Sequence, residues 1–427
     1  MTVTRVCRIL CAIVFVAATG CDEQTAELPA AEPDSATPDV GLTPVDAGID
    51  ADAAPVVEGL TAFPGGCDLD QDCDGKRCEV GICVPPPPAD RPSEYSCDDA
   101  PRPGTSPDLG CWFAPPPAAD GPATVPARGL VEFFGEGEQT VGLRVRFYDY
   151  ETFDPSPCVD AGARARTVAD ARQAVERCLD EQLDADPDRA PLADTVSEAC
   201  DPPVADSGCW AVEALPTGRP LVARVTGDFN EWVPTYQYGL FINPCAAPQA
   251  RFDSGICPES LDLPDPALNW SCGLVEAPSP HHAGAPGGAY WFRNISVISQ
   301  RTWDSFPQTA GEVRINQGFG AVAGRLYDCD GRSVVHATFG LARPGRRDTY
   351  FNGNAADTLP SPGRVTTNLL GTYANLNTPP GPNGMVAVAR VDGTPALVAY
   401  ERFFLLPDTV TIVNPAGRAP VQVEPPY

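Results

Sequence analysis

The chain has 427 residues, a net charge of −28 and a hydrophobic fraction of 43%, which allows two or three domains with real cores. That charge argues against nucleic-acid binding and against a polybasic membrane patch. The 49 prolines and 39 glycines favour strands and turns over helices, and the expected class is mainly β.

The first residues read MTVTRVCRILCAIVFVAATGCDEQ. Arg5 and Arg8 precede an apolar run, Ile9 to Ala18, which ends in small residues and is too short to span a bilayer. Ala18-Thr19-Gly20-Cys21 resembles a bacterial lipobox, although that family usually carries Leu where Ala18 stands. The resemblance implies a signal peptide over 1–20, lipidation of Cys21, a membrane partner through the lipid, and a bacterial cell envelope location, the outer membrane above all. Residues 22–60 hold ten acids, no Lys or Arg and no aromatics. Such a segment cannot bury enough apolar surface to order itself, so a disordered acidic tether is expected over 21–62.

Setting aside Cys7, Cys11 and Cys21, fourteen of the 17 cysteines remain: Cys67, Cys73, Cys78, Cys83, Cys97, Cys111, Cys158, Cys178, Cys200, Cys209, Cys245, Cys257, Cys272 and Cys329. An even set in an exported chain reads as a disulfide framework. The first four, in GCDLDQDCDGKRCEVGICV, make a four-cysteine module over 63–84. Three pairings are open, with Cys67–Cys78 and Cys73–Cys83 favoured. Zinc prefers tighter C-x2-C pairs than this spacing offers. In the same stretch Asp70, Asp72, Asp74 and Gly75 match the start of a calcium loop, but Gly81 stands where a bidentate Glu belongs. Calcium at Asp70, Asp72 and Asp74 is the one cofactor candidate; no other cofactor is expected. A Pro-rich, cysteine-containing connector follows over 85–120.

The rest of the chain contains an internal repeat. Gly208, Trp210, Pro216 and Gly218 match Gly371, Tyr373, Pro379 and Gly381 at one offset, each set preceding an alternating apolar run. Upstream, ARGLVEFFGEGEQTVGLRVRFYD and VAGRLYDCDGRSVVHATFGLA each read as strand, turn, strand, the second with an Asp330-Gly331 turn. Leu143, Val145 and Phe147 give one apolar face to the first of these, and His336 falls in a strand of the second.

These paired signals resemble the carboxypeptidase regulatory-like domain. The resemblance implies two transthyretin-like antiparallel β-sandwiches in tandem, over 121–248 and 288–427, with a cysteine-containing linker over 249–287. The second copy carries the pattern at Gly324, Gly331, Ala337, Gly371, Tyr373, Pro380, Gly381 and Val388; the first carries it at Gly129, Gly137, Val145, Gly208, Trp210, Pro216, Gly218 and Val225. Trp210 and Tyr373 are expected in the core. The first copy holds extra residues, with a helical insertion near 160–195. There Val168, Ala171, Val175, Cys178, Leu179 and Leu183 share one face of the chain's one clear helix. Cys178 is placed to bond Cys158 or Cys200.

The common catalytic motifs are missing from the sequence, while its 57 acids leave a paired-carboxylate site open. Domains of this kind accompany zinc carboxypeptidases, whose site takes a His-x-x-Glu pair and a third His. Here His281 and His282 lie in a Pro/Gly-rich stretch with no Glu at that spacing. There is no Gly-x-Ser-x-Gly elbow and no phosphate loop. Asn294-Ile295-Ser296 forms a glycosylation sequon, incidental in a bacterial chain. Trp232, Tyr236 and Tyr238 form a local aromatic cluster, read either as core and edge side chains or as an exposed sugar or peptide platform. The expectation is a non-catalytic binding or structural protein of the envelope, with an envelope protein or polysaccharide as partner. The alternatives are an accessory subunit of an exported hydrolase and a glycan-binding module.

Overall fold

A computed structural model describes residues 63–415 except 65, 98–99, 102–105, 110–120, 135–138, 184, 205, 243–273, 276–288, 312–313, 329–331 and 353–358. The expected signal peptide, Cys21 and the expected tether lie outside these residues. So do Cys111, Cys245, Cys257, Cys272, Cys329, His281 and His282.

The protein is mainly β, with two α-helices among the described residues. Its N-terminal part forms two short antiparallel pairs, β1 (Arg77–Glu79) with β2 (Ile82–Val84), and β3 (Glu94–Cys97) with β4 (Ala100–Pro101). The first repeat supplies β5 (Thr124–Phe133), β6 (Arg144–Asp149), α1 (Val168–Gln182), β7 (Ala193–Val196), β8 (Glu198–Ala199), β9 (Gly208–Pro216), β10 (Pro220–Thr226), β11 (Trp232–Val233) and β12 (Thr235–Phe241). Then come β13 (Leu274–Val275), β14 (Tyr290–Phe292), β15 (Ile295–Ser299) and α2 (Gln300–Thr309). The second repeat supplies β16 (Gly320–Arg325), β17 (Ser333–Val335), β18 (Thr338–Leu341), β19 (Arg347–Tyr350), β20 (Thr372–Thr378), β21 (Gly381–Val391), β22 (Thr394–Leu405) and β23 (Val410–Val413).

The repeat is visible in the strand pairing. In the first copy β5 lies between β9, antiparallel, and β14 and β15, both parallel. In the second, β16 lies between β20, antiparallel, and β23, parallel. Gly129 stands opposite Trp210 and Gly324 opposite Tyr373. At both glycines a Cβ would overlap a carbonyl oxygen (Arg293, between β14 and β15, or Val413 on β23) and would stand 2.8 Å from the polar tip of the facing aromatic. Only glycine lets the ring lie across its partner strand. Trp210 and Tyr373 are both buried, and the Tyr373 hydroxyl donates to the Val413 carbonyl at 2.6 Å.

Three features depart from two separate antiparallel sandwiches. First, each copy contains parallel pairs. Second, β14 and β15, at residues 290–299, complete the first copy's sheet rather than opening the second copy. Third, β12 pairs in parallel with β23, producing one eight-stranded sheet in the order β19-β20-β16-β23-β12-β10-β6-β7. The copies use opposite faces of this shared sheet. Val145, Phe147, Leu221, Ala223 and Val225 pack into the first core, against β5, β9 and β15. Tyr148, Val222, Tyr236 and Tyr238 point the other way, into the larger core that also holds β21 and β22.

Helix α1 forms where expected. Thr167 caps it by accepting from the Asp170 amide at 3.1 Å, and Ala171, Val175, Leu179 and Leu183 are buried. It covers the outer face of β6, β10 and β12, which explains why those strands are buried on both faces. Helix α2 was not anticipated from the sequence. Ser299 caps it through the Thr302 amide at 3.2 Å, and it buries Trp303 and Pro307. With ten residues and few apolar ones, it has too short a stripe to register as a periodic helix.

Candidate functional site

The densest polar arrangement lies beneath α1. Arg224 on β10 is 1% exposed and reaches up to the helix. Its Nε donates to Glu176 Oε2 at 2.7 Å, its Nη2 to Asp180 Oδ1 at 2.7 Å, and its Nη1 to the Tyr148 hydroxyl at 3.0 Å. Arg146 on β6 donates to Asp180 Oδ1 at 2.8 Å. The Tyr236 hydroxyl donates to Glu176 Oε1. Two guanidinium groups thus face two carboxylates: Arg224 and Glu176 balance each other in the interior, while Asp180, half-exposed, closes the cluster at its rim.

The electrostatics follow from that pairing. Burial and the neighbouring Glu176 charge push the Tyr236 phenol well above its ordinary pKa. Burial alone would raise Asp180, but the hydrogen bond from Arg146 and the charge of Arg224 outweigh it and hold the carboxyl below its usual value. Burial opposes the charge on Arg224, yet Glu176 and its other neighbours carry the guanidinium well above its usual pKa. Both acids are committed to arginines, and the phenol to an acid. The arrangement joins a helix to a sheet.

Arg172 extends the lock to the second copy. Its Nε donates to the Asp408 carbonyl at 2.7 Å, its Nη1 donates to Gln300 Oε1 on α2, and its guanidinium lies 5.3 Å from the Trp303 ring centroid. Burial lowers its pKa to about 10. The inserted helix of the first copy is therefore fastened both to α2 and to the loop between β22 and β23 of the second copy.

The aromatic candidates do not form a platform. Trp232 is 7% exposed and sits in the first core, edge-on to Phe133. Tyr236 and Tyr238 are each 1% exposed and face the opposite core, with Tyr238 edge-on to Tyr150. The exposed-platform reading fails because Trp232 lies within the first copy's own core, while α1 and the second copy cover Tyr236 and Tyr238.

The cysteine module has the favoured pairing, Cys67–Cys78 and Cys73–Cys83. Cys178 bonds Cys158, and Cys200 bonds Cys209. Sulfur atoms of Cys67, Cys73 and Cys83 lie close together, but their disulfide bonds account for this. Asp70 Oδ1 accepts from the Cys78 amide at 2.6 Å, and Asp72 Oδ2 accepts from the Leu69 amide at 3.0 Å. Asp74 takes a left-handed conformation, φ 49°, after the short turn. Two of the three calcium candidates therefore tie the loop's own backbone.

This module does not stand apart. Ile82 and Val84 are buried in the larger core. The connector continues along the second copy, with β3 pairing antiparallel to β17. Arg332 lies 3.9 Å from the Tyr95 ring centroid and donates to Asp328 at 2.7 Å. Asp328 in turn accepts from the Asp108 amide at 3.2 Å.

His336 is not in a strand; it occupies a bend between β17 and β18 with φ 62°, and burial lowers its pKa. At the sequon, Asn294 accepts from the Leu130 amide at 3.3 Å and donates to Glu132 at 2.7 Å. That amide is occupied by folding.

No protein-family model matches the chain, and no curated protein does. Among solved structures, a streptococcal ancillary pilin aligns over 68% of this chain and 67% of its own at 11% identity, with a TM-score of 0.16. A minor pilin of Streptococcus agalactiae aligns over 69% of this chain and 94% of its own at 9% identity, with a TM-score of 0.16. Likenesses of that size carry no functional argument.

Proposed function

We propose that this is a lipid-anchored protein of the bacterial cell envelope, held by Cys21 at the outer membrane, with a structural or binding role and no catalysis of its own. One observation carries the export reading. Every framework cysteine whose side chain is described, from Cys67 to Cys209, is in a disulfide, as expected in an oxidising compartment. A non-catalytic role is supported by the commitment of Glu176, Asp180, Arg146 and Arg224 to one another beneath α1. The shared sheet joins both copies, and the common core holds Ile82 and Val84 of the cysteine module, an arrangement suited to presenting a partner, an envelope protein or polysaccharide.

Intact mass of the mature protein, with and without reduction, tests the anchor. The expected result is a chain beginning at Cys21 with added acyl mass. A mature form without lipid would remove the anchoring model. Gel filtration of a native extract tests the role: co-elution with an exported hydrolase would replace a free-standing role by an accessory one.

A further inference from the structure

The loop between β18 and β19 reads Arg343-Pro344-Gly345-Arg346-Arg347. Three cations in five residues stand out in a chain of net charge −28. Arg343 and Arg346 are exposed and Arg347 is half-buried. Exposed Arg314 lies beside them: its carbonyl accepts from Asn377 Nδ2 at 3.0 Å, while the adjacent Leu376 carbonyl accepts from the Arg346 amide at 3.0 Å. Arg347 Nη1 reaches the Gly311 carbonyl at 3.4 Å. Among the described residues, none of these four guanidinium groups has an acidic partner within 4.0 Å.

The backbone of this loop is held from beneath. Asn375 Oδ1 accepts from the Gly345 amide at 2.7 Å, and Asn383 both accepts from the Arg343 amide and donates to its carbonyl, each at 2.9 Å. Asp348, the residue after Arg347, accepts from buried Asn375 at 2.7 Å. The cationic side chains are thus presented on a preset turn.

The chain enters the fold at the same place. Phe63, the first described residue, packs against Gly384, where a Cβ would stand 2.9 Å from its ring. The Gly384 carbonyl accepts from the Ala342 amide at 2.9 Å, one residue before Arg343. The segment preceding Phe63 leads back to Cys21.

We propose that the Arg343–Arg347 loop, with Arg314, is a docking face for anionic lipid headgroups, close to Phe63, where the described chain begins. This rests on the lipoprotein reading above and departs from what net charge alone implies. Guanidinium groups pair with phosphate in a bidentate manner, and each cation close to an anionic surface adds attraction. Repulsion from acids elsewhere on the body is screened beyond about 8 Å at physiological ionic strength. Such a face adds to an acyl anchor and orients the body.

The test uses the exported chain carrying Cys21→Ser, so that no acyl group contributes. It is sedimented with phosphatidylcholine vesicles, with or without about a third of phosphatidylglycerol. The expected result is binding about tenfold stronger with phosphatidylglycerol, weakened by salt. Exchanging all three loop arginines, R343S/R346S/R347S, removes that preference without changing Tm. R346E alone weakens it. Equal binding to both vesicles, or a triple variant that binds undiminished, would overturn the proposal. Loss of binding in millimolar inorganic phosphate at constant ionic strength would also overturn it, in favour of a small-anion site. Acylation is read separately by mass, so either reading can fail without the other.

Discussion

Glu401 offers a direct measurement of what the shared core costs. It lies on β22 opposite Met385, is 6% exposed, and its Oε2 would be 3.7 Å from a Cβ on Gly239 of β12. Burial alone raises its pKa from 4.5 to about 8. The folded state therefore binds this proton more tightly than the unfolded chain does. Its contribution to stability is fully present below about pH 4.5 and is lost as pH rises towards 8. One proton corresponds to about 1.4 kcal/mol per pH unit, so the group should withdraw roughly 3 kcal/mol between pH 5 and pH 8. Glu401→Gln keeps the shape of the protonated acid and removes the titration. Urea unfolding of both proteins at pH 5, 6, 7 and 8 measures the difference, in which Asp328, Asp348 and Asp408 cancel because both proteins carry them. The variant should match the native protein near pH 5 and exceed it by about 3 kcal/mol at pH 8. Superimposable pH profiles would refute the reasoning, since they would mean that Glu401 ionises in the fold without penalty.

Arg224→Met leaves Glu176 buried without its guanidinium and should cost about 3–5 kcal/mol in denaturant unfolding, with most of it recovered by adding Glu176→Leu. Replacing Cys158 and Cys178 by Ala opens a loop of sequence separation 20 and should lower stability by about 3 kcal/mol, read as a shift in urea midpoint with both proteins otherwise oxidised. Trp232→Ala should cost about 3–5 kcal/mol through an internal cavity; unchanged stability would return Trp232 to the surface. Calcium titrated into the oxidised protein should release no heat, because Asp70 and Asp72 already accept from backbone amides; a saturable signal would show that the loop reopens to take the ion.

The residues legible in advance were those whose constraint is local. Glycine opposite an aromatic marked both copies at Gly129–Trp210 and Gly324–Tyr373 because no other residue fits under that ring. The periodic face of α1 was equally local, as was the favoured pairing within the four-cysteine module. Arg224 was not legible as a site residue, because one arginine in an apolar strand shows its role only when Glu176 and Asp180 arrive from an inserted helix. Trp232, Tyr236 and Tyr238 stayed open between core and platform for the same reason, until the structure placed them in the core: alternation tells which residues share a face, but not whether that face meets water.

By itself, then, the sequence established a β-rich, cysteine-stapled chain with a repeated unit and one inserted helix, all consequences of side-chain periodicity and backbone sterics. Only the tertiary structure decided that the two units share a sheet through β12 and β23, and that residues 290–299 belong with the first. It also decided that the GCDLDQDCDGKRCEVGICV module seats Ile82 and Val84 in a common core. Strand edges carry their pairing capacity in backbone N–H and C=O groups, which are the same for every residue but proline, so the choice of partner is made by packing and not by spelling.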